Sequence, residues 1–200
     1  MKKELLEKLK KEYPAGTRIQ LVHMDDVQAP PKGTKGTVIG VDDIGSILVS
    51  WDNGSSLNVV YGEDVVSKVK HCCICGDEID GYGNNPSPVA GKCCCDKCNN
   101  NVIVPYRVFL NNLGSKKCGL LIKRDKLELI TPRKGKFTLK ELQNFVGGYI
   151  EEELQVFPGY ITFADEEGKL KNKEFNELGY KIFETDLVGD FILVPRELVD

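Results

Sequence analysis

The sequence predicts a multidomain chain: a small all-β barrel, a cysteine-rich metal-binding module and a C-terminal α+β domain. Three observations predict this. Five short β-branched runs lie between residues 17 and 69, two C-x-x-C pairs follow at Cys72/Cys75 and Cys95/Cys98, and helical and strand patterns alternate after residue 137. Two hundred residues is too long for one small module and short for two full-sized domains. The chain is 41% hydrophobic and 28% charged, an ordinary globular composition that allows real cores.

Residues 1–16 are expected to form an N-terminal helix. Leu5, Leu6 and Leu9 share one helical face amid lysines and glutamates, and Pro14 and Gly16 stop the pattern. Such a helix either docks on the first domain or presents its face to a partner.

Residues 17–70 read as the barrel. TRIQLVH, KGTVIGV, SILVSW, SLNVV and VVSKV are strand-like, broken by the Pro30-Pro31 loop and by turns at Asp42–Gly45 and Asp52–Gly54. Asn-Gly supplies the positive φ of a tight hairpin. Five short strands in so few residues suggest an SH3-like barrel, with Trp51 in its core and Tyr61 and the MDDVQAPPK loop as candidate surface. The runs MDDVQAPPKGTKG and DIGSILVSWDNGSSLNVV resemble an uncharacterised domain family of bacteriophage and mobile-element proteins. That resemblance implies a barrel and a phage-like origin, and it implies no activity.

Residues 71–106 form the expected zinc-binding module. With 19 residues between Cys75 and Cys95, the cysteines have the spacing of a structural zinc site. Two thiolates on each tight turn supply two corners of a tetrahedron, and four thiolates leave no open position for catalysis. Cys75-Gly76 reads as a zinc knuckle. The second pair opens into CNNNVIV, a short helix expected to end before Pro105, as in treble-clef or zinc-ribbon modules. GYGNNPSPV between the pairs is a loop by composition. The expected Zn2+ ligands are Cys72, Cys75, Cys95 and Cys98. Cys94 is a competitor for Cys95, and His71 an alternative fourth ligand. Cys118 reads as a buried apolar residue, and with no signal peptide the cysteines read as metal ligands more readily than as disulfides. The pattern ICG, GYGNNP and GKCC with a following CN resembles a small cysteine-rich element of phage and plasmid proteins, and the four ligands fall on its ligand positions.

Residues 107–136 read as a basic connector, of which 119–130 could supply one or two strands. Residues 137–200 read as the α+β domain. Thr138 is an N-cap with Glu141 as its capping-box partner, Leu139, Leu142, Phe145 and Val146 line one face, and Gly147-Gly148 end the helix. Strands are expected at Tyr149–Phe157, Tyr160–Ala164 and Phe191–Val194, a turn at Asp165–Gly168, and a short helix marked by Phe175 and Leu178. VGGYIE and its surroundings resemble a further uncharacterised α+β family of phage genomes.

Charge is unevenly placed: net −2 to Tyr106, +8 from Arg107 to Lys140 and −9 from Glu141 onward. The basic block (Arg107, Lys116, Lys117, Lys123, Arg124, Lys126, Arg133, Lys134, Lys136) is the candidate phosphate-binding surface, or else a solvated linker. No H-x-E precedes a P-C-x-x-C, no Walker loop occurs, and Glu151-Glu152-Glu153 is a charge run that strand alternation would split. Binding therefore ranks above catalysis. The leading expectation is a zinc-stabilised, non-catalytic regulatory protein of the host cytoplasm contacting nucleic acid. The alternative is a phage counter-defence protein that inhibits a host protein such as a nuclease, its acidic tail mimicking nucleic acid; a third is a thiol or zinc enzyme. No membrane partner and no small-molecule substrate are expected.

Overall fold

A computed structural model describes residues 3–79, 81–153 and 155–199. The chain is mixed α and β, and it divides into two compact units, Met1–Lys70 and His71–Asp200.

In the first unit, helix α1 (Lys3–Glu12) lies against the second strand of a five-stranded antiparallel sheet. Its leucines explain the docking: Leu9 is buried, Leu5 and Leu6 half-buried, and Lys10 reaches Asp43 at 3.3 Å. The strands are β1 (Arg18–His23), β2 (Lys35–Val41), β3 (Ser46–Trp51), β4 (Val59–Val60) and β5 (Val65–Lys68), in the order β4-β3-β2-β1-β5. Consecutive hairpins place β4 to β1 side by side, and the chain returns so that β5 pairs with β1. The turns close as their residues dictate. Asp42 Oδ1 accepts the amides of Ile44 and Ser46, and Gly54 takes a φ of +81° after Asn53. Register slips in β1 and β2 bend those strands. The core is Ile19, Leu21, Val38, Ile47, Val49, Trp51 and Val59. Trp51 is inside it, as its place before a turn suggests, and its Nε1 donates to Leu57 O at 2.6 Å. Gly36 sits opposite Trp51, where a Cβ would come within 2.6 Å of Val49 and 2.8 Å of the indole.

The second unit opens with a two-stranded ribbon, β6 (Lys70–His71) with β7 (Glu78–Ile79). A helical stretch follows: one turn, α2 (Asp96–Cys98), a π-helical segment at Asn99–Ile103 and α3 (Val104–Asn112). A five-stranded antiparallel sheet has the order β10-β11-β12-β8-β9, from β8 (Gly119–Ile122), β9 (Leu127–Ile130), β10 (Ile150–Glu153), β11 (Tyr160–Asp165) and β12 (Phe191–Pro195). Helices α4 (Leu139–Val146) and α5 (Glu177–Phe183) complete the unit.

Both faces of this sheet are covered. Leu120, Ile122, Leu193, Phe191 and Tyr160 pack with Ile103, Tyr106 and Phe109 of the cysteine-linked helix. The alternate residues Leu121, Ile192, Val194, Ile161 and Phe163 pack with Leu142 and Val146 of α4. Strands β8, β11 and β12 are therefore buried at every position, which is why β8 and β12 read as apolar runs and not as alternating ones.

Here the structure corrects the expected division. Residues 71–200 are one compact unit, so boundaries at 106/107 and 136/137 cut through a shared core. The segment 107–136 is no connector: it supplies most of α3 and the strands β8 and β9. The helix also runs through Pro105 instead of ending before it. The preceding π-helical turn, closed by Val104 N–H to Asn99 O, makes room for a proline that has no amide to donate.

Other local expectations hold. Thr138 and Glu141 form the reciprocal capping box, and Gly147 ends α4 at a φ of +73°. The strand expected over Tyr149–Phe157 is shorter, Ile150–Glu153, and Leu154 within that range lies outside the described residues.

Candidate metal centre

Two turns carry the cysteines. At the first, Gly76 N–H donates to Cys72 O at 2.9 Å, the Ile74 amide lies 3.4 Å from Cys72 Sγ, and Gly76 takes a φ of +81°. At the second, Cys95 is the N-cap of α2, its sulfur accepting the Cys98 amide at 3.4 Å. Amides pointing at sulfur are what a thiolate needs.

The sulfurs of Cys72, Cys75, Cys95 and Cys98 all lie within 4.8 Å of one another, and Cys75 and Cys95 are 3.8 Å apart. A tetrahedron with metal–sulfur bonds of about 2.3 Å has sulfur–sulfur edges of about 3.8 Å. The donor set therefore fits one metal ion. Cys72 and Cys98 are buried, Cys95 is half-buried and Cys75 exposed.

Electrostatics point the same way. Burial opposes ionisation of Cys72, yet donated amide hydrogens bring its thiol down to about 6. Burial pushes Cys75 up to about 11, helped by hydrogen bonds with the Asp77 carboxylate and Cys72, and burial with hydrogen bonds to the other three sulfurs raises Cys98 strongly. Crowding of sulfur charge in a small space is what a bound cation relieves.

The competitors are placed elsewhere. Cys94 is fully buried, its backbone paired both ways with Asn84 and its sulfur 3.6 Å from Asn84 O. Burial raises its thiol to about 11. Cys93 Sγ lies 3.8 Å from His71 O, and Cys73 packs against Gly91, where a Cβ would overlap it at 2.4 Å. Cys118 is buried in the apolar core, as expected. Among the described residues, the four-cysteine group contains no His71.

Several supporting residues carry no sequence signal. Asn84 Nδ2 donates to Asp96 Oδ1 at 2.7 Å and ties the intervening loop to the second turn. Lys181 Nζ donates to Ile74 O at 2.6 Å and fixes the first turn to α5. A cavity of about 180 Å³ opens beside Cys75 and Cys98, lined also by Lys97, Arg124 and Lys181. A larger one of about 780 Å³ is lined by Lys123, Arg124, Asp125, Glu174, Phe175, Glu177 and Asp190, and burial raises the Asp190 carboxyl.

The candidate basic surface is not assembled as one patch. Arg107 donates to Ser87 O and Asn85 O, Lys116 pairs with Glu197, and Arg124 pairs with Glu174. Lys123 and Lys126 share Glu128 at 3.4 and 2.5 Å. Lys117 follows the turn after α3. Arg133, Lys134 and Lys136 gather at the entry to α4, where Arg133 is 4.0 Å from Glu141 and Lys136 Nζ is 3.4 Å from Val199 O. A cavity of about 310 Å³ there is lined by Arg133, Lys134, Thr138, Lys140, Glu141 and Asn144.

With this geometry in place, comparison with known proteins bears on the first unit. Residues 2–69 match the family model of a domain of unknown function, DUF4314. The matched segment covers α1 and the five-stranded sheet. The match stops before the first metal-site cysteine and assigns no chemistry to the centre. No curated protein and no solved structure matches the chain. Among the described residues, no helix is long and apolar enough to cross a membrane.

Proposed function

We propose that this is a non-catalytic binding protein whose second unit is organised by a structural Zn2+ held by Cys72, Cys75, Cys95 and Cys98. The observation that carries the reading is four sulfurs within 4.8 Å of one another, two of them buried in the core. Sulfur-only tetrahedral donors favour zinc over harder cations, and a four-thiolate shell has no vacant position for a reacting water. The DUF4314 unit, with its β4-β3-β2-β1-β5 order and bent strands, is read as an SH3-like small barrel. The sequence resemblances support a source in a phage or mobile element.

Elemental analysis of the purified chain tests the metal. One zinc per chain, lost in Cys72→Ser and Cys98→Ser, supports the reading; metal-free protein with all four thiols titratable overturns it.

Nucleic acid is the proposed partner, and the proposed contact surface is Arg133, Lys134 and Lys140, which line one cavity at the entry to α4. Arg107, Lys116, Lys123, Arg124 and Lys126 are engaged with groups of the same chain. Fluorescence anisotropy with single- and double-stranded oligonucleotides decides the matter. Binding that weakens steeply with salt and with Lys134→Glu/Lys140→Glu supports it. Absence of binding at low salt sinks it.

A further inference from the structure

We propose that the metal centre is sensitive to peroxide, and that Cys75 and Cys95 form its first disulfide. The inference rests on the metal reading above and concerns the regulation of that site.

Three observations single out this pair. Cys75 is the exposed member of the four, Cys95 is half-buried, and Cys72 and Cys98 are only 3% and 6% exposed. The Cys75 and Cys95 sulfurs lie 3.8 Å apart, so a bond of about 2.05 Å needs them to approach by less than about 2 Å. The cavity of about 180 Å³ lined by Cys75, Cys98, Lys97 and Lys181 gives a small oxidant a way to the exposed Cys75 sulfur, where the first step occurs.

The chemistry balances with hydrogen peroxide as oxidant. The Cys75 thiolate attacks one peroxide oxygen; an S–O bond forms, the O–O bond breaks and hydroxide leaves. The Cys95 thiolate then attacks the Cys75 sulfur; the S–S bond forms, the S–O bond breaks and a second hydroxide leaves. Two electrons pass from the two sulfurs to one peroxide. With two of four sulfur donors consumed, Cys72 and Cys98 hold the ion too weakly to keep it, and it is released.

The location of this disulfide matters for the fold. It joins the first turn to the start of the helical stretch, replacing by a covalent bond the link that the ion provided. Bonds within Cys72/Cys75 or Cys95/Cys98 would tie residues of one turn and leave the two turns unconnected. The oxidised chain therefore keeps its second unit folded, and a thiol reductant restores zinc uptake.

Peroxide titration of the zinc-loaded protein, with a chromogenic chelator reporting zinc and peptide mass spectrometry mapping cysteines, tests this. The expected result is one zinc released per Cys75–Cys95 disulfide, an unchanged far-ultraviolet circular dichroism spectrum, and recovery of zinc binding after dithiothreitol. The Cys73→Ser/Cys93→Ser variant, which keeps all four ligands, should release zinc at a rate within about twofold of the parent. A first disulfide at any other pair, or zinc retained through oxidation, overturns the inference while leaving the zinc reading intact. Protein that binds no zinc before peroxide is added overturns both.

Discussion

Arg107 donates its Nε–H to Ser87 O at 2.7 Å, and its Nη2 reaches Asn85 O at 2.8 Å. A guanidinium on α3 thereby holds the loop that joins the two cysteine turns. Hydrogen bonds from a charged donor are worth about 2 kcal/mol. Arg107→Ala should lower unfolding free energy by about that amount, and Arg107→Lys, which cannot form the fork, should recover only part. Urea denaturation measures both; an unchanged midpoint would show the clamp to be idle.

Removing the metal should affect one unit far more than the other. The sulfur cluster shares its core with the sheet of the second unit, whereas the first unit has a core of its own. Chelation should therefore strip hydrogen-exchange protection from residues 95–112 and leave that of 17–69 unchanged. Cys98→Ser should lower the melting temperature of the second unit by roughly 10 °C. Cys94→Ser should retain the metal, because Cys94 faces Asn84.

Asp165 has no exposed side-chain surface, and it is held by Lys173 at 2.6 Å, Lys171 at 3.0 Å and the Glu167 amide at 3.1 Å. Burial works to raise its pKa; the two ammonium groups and the amide outweigh burial and hold it below the usual value. A lowered native pKa means that the contribution is complete above the unfolded value of about 3.9 and disappears as pH falls through the native one. Asp165→Asn should cost about 1–3 kcal/mol at neutral pH, since Lys173 loses its carboxylate while Lys171 keeps Glu167 at 3.2 Å. The same variant should lose stability less steeply than the parent on acidification, as read from melting temperatures between about pH 5 and 2.

Gly148 lies against that same carboxylate, where a Cβ would come within 2.3 Å of Asp165 Oδ1. Because Asp165 is pinned by two lysines, it cannot step aside. Gly148→Ala should destabilise by about 1–3 kcal/mol. Combined with Asp165→Asn it should give less than the sum of the two single losses, in a thermal-denaturation cycle.

What the sequence by itself determined was local. The five strands of the first unit, the Thr138–Glu141 capping box, the Asn53-Gly54 turn and the C-x-x-C pairs each depend on a few neighbouring residues, and backbone geometry reads such patterns directly. Tertiary structure alone decided the rest. Residues 119–130 already read as strand, but that Leu120–Ile122 pairs with β12, far along the chain, and is buried on both faces was set by tertiary contacts. The helix passes Pro105 because its apolar side packs on that sheet, outweighing a local stop signal. Lys116 finds Glu197 across 81 residues, so a run of charge that reads as a free surface is partly neutralised by groups no window contains. Contacts between distant segments exist only once the chain has closed on itself, and they set which cysteines gather in one cluster and which lysines meet a carboxylate.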